Sequence, residues 1–319
     1  MKNLLLVSCI FIAQVTSIYA QKNEMPDKDL KEIEALVKSV SDKIETTLKK
    51  DVALYTAMKS EIERINEIKL TKDRNAAIKK YSSKYKKIYG QIVTKAGIDM
   101  KIIVSNLNTK YKNYNFTLIN GFAILFSAKK FVPDVREAVI PTEVTTIPIK
   151  GFLETKDANC FGLGTSFVTF FDKFVDAETE LAVIGNCKAS GEIRSTTTIP
   201  ADAKSIILKI SGNTEASGYV SGTGGLAMGY SLSNVAVYTD TESFIYTTSE
   251  MWLEAPFLWT AFDIAPLSYF VNTIDLTQFK GVPLTIMATA TSSSFCGGIG
   301  RSSFVAKSTI ASADLLISK

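Results

Sequence analysis

Residues 30–65 read LKEIEALVKSVSDKIETTLKKDVALYTAMKSEIERI, and their spacing decides half of the fold. Leu30, Ile33, Val37, Val40, Ile44, Leu48, Val52, Tyr55, Met58, Ile62 and Ile65 follow one another at intervals of three or four. That period lays them on one stripe of a helix and turns the lysines and carboxylates to the other side. Pro26 and Asp27 stand where a helix begins. The stripe predicts one long helix of about 60 Å.

A break at Leu70-Thr71-Lys72-Asp73 precedes a second stripe of Ile78, Tyr81, Tyr85, Ile88 and Ile92. Each stripe needs apolar cover, and the other is the nearest. An antiparallel helical hairpin or bundle is therefore expected over residues 21–112. A coiled coil that joins copies of the chain into a homo-oligomer through these helices is the alternative.

From residue 141 the composition turns to Ser, Thr, Gly, Val, Ile and Phe. Residues 144–149, 205–210, 234–238, 243–248, 282–290, 304–307 and 315–318 read as strands. Ser211-Gly212-Asn213, Ser217-Gly218 and Gly222-Thr223-Gly224-Gly225 read as the turns between them. Short strands in such number predict an antiparallel, jelly-roll-like β-sandwich over 141–319. The fold class is thus α+β and multidomain. Residues 113–140 form an apolar connector that contains FTLINGFAILF at 116–126, read as buried core or as a membrane-active arm.

Lys2, the apolar run 4–15 and Ala20 before Gln21 have the layout of a signal peptide over residues 1–20. The expected location is secreted: extracellular, or the periplasm or outer surface of a Gram-negative cell. Three cysteines then remain, Cys160, Cys187 and Cys296. In an oxidising compartment a Cys160–Cys187 disulfide is expected, since the two flank a strand pair. Closing that loop would contribute about 3–4 kcal/mol through loop-closure entropy.

The chain contains no histidine. That excludes Ser-His-Asp and Cys-His catalysis and the HExxH zinc proteases, and no cofactor or metal site is read from the sequence. Export argues against nucleic acid as a partner. Residues 71–112 carry eleven Lys/Arg against two Asp/Glu. Lys79, Lys80, Lys84, Lys86 and Lys87 with Tyr81 and Tyr85 form a basic, aromatic stripe suited to an anionic membrane surface, or simply a solvated helix face. Both tryptophans fall in the segment 249–259. In an extended strand Glu250, Trp252 and Glu254 share one face, and with Trp259 they read as a carbohydrate platform or as a core corner.

Three functions follow in order. The first is a secreted, non-enzymatic binding or adhesion protein whose β-sandwich recognises carbohydrate or a cell-surface partner. The second is a pore-forming, membrane-attacking protein with 116–126 as its lytic element. The third is a glycosidase built on carboxylates alone.

Overall fold

The computed structural model of the chain describes residues 27–69, 71–128 and 138–318. The leader reading of residues 1–20 lies outside them. Four helices come first: α1 (Asp27–Leu48), α2 (Val52–Glu67), α3 (Thr71–Lys95) and α4 (Met100–Lys110). The single long helix is therefore a misreading. Asp51 ends it by accepting a hydrogen bond from the Leu54 N–H at 3.1 Å, the capping bond that starts α2. Val52, read as part of the stripe, is 69 % exposed.

The rest of the stripe is buried, Leu30 and Tyr55 only in part, but against more than a second helix. Ile33, Ile44, Leu48, Met58, Ile62, Ile78, Tyr81 and Tyr89 share one core with residues of the β body. The apolar faces offered to a self-associating coiled coil are thus occupied within the chain.

The connector is a hairpin of β1 (Tyr114–Ile119) and β2 (Ala123–Ala128). Asn120 and Gly121 turn it with φ of 55° and 91°, a backbone region that these two residue types tolerate best. Phe116, Phe122, Ile124 and Phe126 are buried in the helix-facing core, so the 116–126 segment is core.

The β body follows as β3 (Thr145–Pro148), β4 (Leu153–Phe171), β5 (Phe174–Thr198), β6 (Ser205–Gly224), β7 (Ala227–Tyr238), β8 (Ser243–Ala255), β9 (Thr260–Ile264), β10 (Ser268–Asp275), β11 (Pro283–Cys296) and β12 (Ile299–Ser318). The strand order is β1-β2-β8-β7-β11-β5-β12-β6-β10, with β3 on β12, β4 on β5 and β9 on β6. Every pairing of these strands is antiparallel.

The sandwich arises because β5 belongs to both layers. Its first part lies on β12 and its second part, from Gly185, lies on β11. Ile193, Val235 and Ile286 of one layer are buried with Ile206, Ile210 and Leu315 of the other. The corner needs glycine. Gly185 has φ 155°, and a Cβ there would stand 2.0 Å from the Phe161 carbonyl oxygen.

The strands are longer than their punctuation suggested. Ser211-Gly212-Asn213 and Ser217-Gly218, read as turns, lie inside β6. A Cβ on Gly218 would come within 2.3 Å of the Phe304 ring, and one on Gly229 within 2.4 Å of the same ring. These glycines make room for an aromatic side chain lying across the strands. Of Gly222 to Gly225, the first three residues likewise end β6, and only Gly225 lies in the turn to β7.

Candidate functional site

The tryptophan segment lies on β8 and the loop after it. β8 places Glu250, Trp252 and Glu254 on one face, as the alternation requires. That face is covered. Trp252 stacks on Phe126 at 5.2 Å and on Tyr230 at 4.4 Å between ring centroids, and its Nε1–H donates to Glu250 at 2.9 Å. Trp259 is fully buried against Tyr81, Tyr89 and Phe122. The segment is therefore the corner on which the helices dock.

Three helix side chains fasten that corner. Tyr81 Oη donates to the Leu258 carbonyl at 2.8 Å and Tyr89 Oη to that of Phe257 at 2.5 Å. Ser41 Oγ accepts from the Phe257 N–H at 3.0 Å. Burial holds both phenols well above their usual range, so they stay neutral donors.

Glu254 is sealed in the same region. It lines an apolar pocket with Val37, Val40, Met100, Ile103, Phe122, Ile124 and Pro256, and neither of its oxygens has a hydrogen-bond partner among the described residues. Burial, with the Glu34 carboxylate as a smaller contribution, pushes its carboxyl up to about 8.

The basic stripe of α3 is split between two faces. Lys79, Lys80, Lys84, Lys86 and Lys87 are exposed, whereas Tyr81 and Tyr85 point into the body and are buried. Lys84 is paired with Glu61 at 2.5 Å, and Tyr85 donates to the same carboxylate at 3.0 Å. The solvent side of the helix is thus basic without being aromatic.

Cys160 and Cys187 stand opposite each other in the β4–β5 register and are bonded. Cys296 is free and buried, and burial pushes its thiol up to about 12, too high to supply a nucleophilic thiolate.

An open polar surface lies elsewhere, on the outer face of β10, β6 and β12. Phe270 and Ile274 of β10 point into the core, which turns Tyr269 and Val271 outward at 75 % and 69 % exposure. Tyr269 pairs in register with Asn213, and Asn213 with Thr309. The next row brings Val271, Ser211 and Ser312 together, with the last two hydrogen-bonded at 2.8 Å. On the other side Lys307 faces Glu215 on β6 and Asp176 on β5. Lys307 reaches Asp176 at 3.5 Å, but burial outweighs that pairing and raises the Asp176 carboxyl to about 6.

On β10, β6 and β12 the arrangement is a sheet face with the exposed Tyr269 ring and amide, hydroxyl and charged groups beside it. The sequence reading missed it. SYFVNTID (268–275) alternates, but with apolar residues on both faces, so periodicity alone does not separate core from surface.

No family model matches the chain, and no curated protein matches it. Among solved structures it is similar to TmCBM61 in complex with β-1,4-galactotriose, at 10 % identity over 50 % of this chain and 88 % of that one, with a TM-score of 0.17. A glycoside hydrolase domain, Endo-D from Streptococcus pneumoniae R6, matches at 14 % identity over 52 % and 21 % of the two chains, TM-score 0.15. A carbohydrate-binding module of the β-sandwich superfamily matches at 10 % identity over 61 % and 73 %, TM-score 0.14. Scores this low carry no argument about function.

Proposed function

We propose that the chain is a secreted, non-catalytic binding protein that holds a carbohydrate on the outer face of β10, β6 and β12. The observation that carries this reading is Tyr269, a ring three-quarters open to water on a polar sheet face and in register with Asn213 and Thr309. A sugar offers an apolar C–H face that packs on such a ring, and hydroxyls that an amide and a neighbouring hydroxyl recognise. The Cys160–Cys187 bond supports export, because disulfides persist in oxidising compartments. A glycan array read side by side with wild type and Tyr269→Ala tests the reading. Loss of the ring should weaken the selected interaction about tenfold, the value of roughly 1.4 kcal/mol of ring contact. Equal signals would refute a Tyr269-centred site.

A second reading, attachment to an anionic surface, is favoured by the exposed lysines of α3. Replacing Lys79, Lys80, Lys86 and Lys87 with glutamine should then abolish binding to phosphatidylserine vesicles at low salt, since each basic residue near such a surface adds about 1 kcal/mol. Vesicle binding that is the same in the variant, or insensitive to salt, rules this out.

A further inference from the structure

The segment LGTSFVTFF (163–171) of β4 has an exposed face that none of the readings above uses. Among the described residues β4 pairs with β5 alone, so its other edge is open. On the outward side Leu163, Phe167 and Phe171 are 70 %, 46 % and 79 % exposed, and Thr165 and Thr169 between them are exposed as well. Residues 158–171 contain no charged side chain. Proteins commonly protect a long open edge with charge, proline or cover, and this one lacks the first two.

The outward residues read Leu, Thr, Phe, Thr, Phe, a nearly palindromic order. Two antiparallel copies related by a two-fold axis through Phe167 match apolar to apolar and hydroxyl to hydroxyl. Leu163 meets Phe171 of the second copy, Thr165 meets Thr169, and Phe167 meets its own equivalent. An isologous contact requires this kind of self-complementarity, because the same patch serves both sides.

Lipid fits the face less well. Phe167, Thr165 and Thr169 stand in register with Glu178, Glu180 and Asp176 of β5, whose side chains share the face. Asp176 is already buried, but immersion in hydrocarbon would bury the Glu178 and Glu180 carboxylates as well, whereas an added strand covers the β4 edge and leaves those two in water.

We infer that the 163–171 edge of β4 is a homodimer interface, at which a second copy adds antiparallel and continues the sheet across the two-fold axis. The threonine and phenylalanine pairs are the cross-strand contacts that hold it.

Sedimentation velocity on the purified protein tests this, with Phe167 as the diagnostic position because it meets itself. Wild type is expected to be dimeric at micromolar concentration. Phe167→Lys and Phe167→Glu should each be monomeric, their dissociation constants raised at least tenfold by like charges on the axis. An equimolar mixture of the two should recover the dimer, since lysine then faces glutamate. Phe161→Lys, outside the paired run, should stay dimeric. A wild type that is monomeric at every concentration overturns the inference, whether or not the variants fold. So does a dimeric Phe167→Lys, or a mixture of the two variants that stays monomeric. Partition of a monomeric wild type into phosphatidylcholine vesicles would also overturn it, in favour of lipid.

Discussion

Replacing Trp259 with alanine is expected to loosen the helices from the β body and to cost the protein about 3–5 kcal/mol. The indole is fully buried among Tyr81, Tyr89 and Phe122, at centroid distances of 5.8, 4.5 and 4.9 Å. It therefore joins α3, the β1–β2 hairpin and the loop after β8 in a single contact. Its removal leaves a void that the rigid hydrogen bonds of Tyr81 and Tyr89 to the neighbouring carbonyls hinder from closing. Thermal unfolding should shift down by roughly 10 °C. Trp259→Phe is the informative control. It keeps a ring and deletes an N–H that has no acceptor among the described residues, so it should cost clearly less than alanine. Equal losses for the two would mean that ring packing is not what joins the helices to the sheet.

The second large effect is one of pH. Glu254 titrates near its ordinary 4.5 in the unfolded chain but at about 8 in the fold, chiefly because burial disfavours the charged carboxylate. Between those values the folded state binds a proton that the unfolded state has released, so stability falls as pH rises. The protonated group's contribution is complete below about 4.5 and is lost by about 8, a span worth roughly 3–5 kcal/mol. Glu254→Gln keeps the shape and cannot ionise. Urea unfolding followed from pH 5 to pH 9 should fall steeply for wild type and much less for the variant. Parallel curves would place the pH dependence elsewhere, for example at Asp176, also raised by burial.

The switch from helix to sheet is legible because the two halves carry different periods. The spacing of Ile33, Val37, Ile44 and Leu48 means one thing on a helix, and all four are buried as that spacing requires. The Cys160–Cys187 bond is legible because the two cysteines flank a strand pair, although it takes an irregularity between Gly162 and Gly164 to bring them opposite each other.

What covers a residue is not written beside it. Trp252 and Trp259 are covered in large part by Phe126, Phe122, Tyr81 and Tyr89, all more than a hundred residues upstream, so a local reading leaves platform and core corner both standing. The glycines at 212 and 218 mislead in the opposite direction. Their neighbours are the distant rings of Phe270 and Phe304, and without those rings they look like turns. Tyr269 escaped notice because its strand is apolar on both sides, and only the sheet decides which side is core.

The carbohydrate face is tested most directly by calorimetric titration of the oligosaccharide that the array selects into wild type, Tyr269→Ala and Trp259→Phe. The account predicts an affinity about tenfold weaker for Tyr269→Ala and unchanged for Trp259→Phe, because only the first ring is open to a ligand. Unaltered binding in Tyr269→Ala, with loss in Trp259→Phe, would contradict it and return the site to the tryptophan corner.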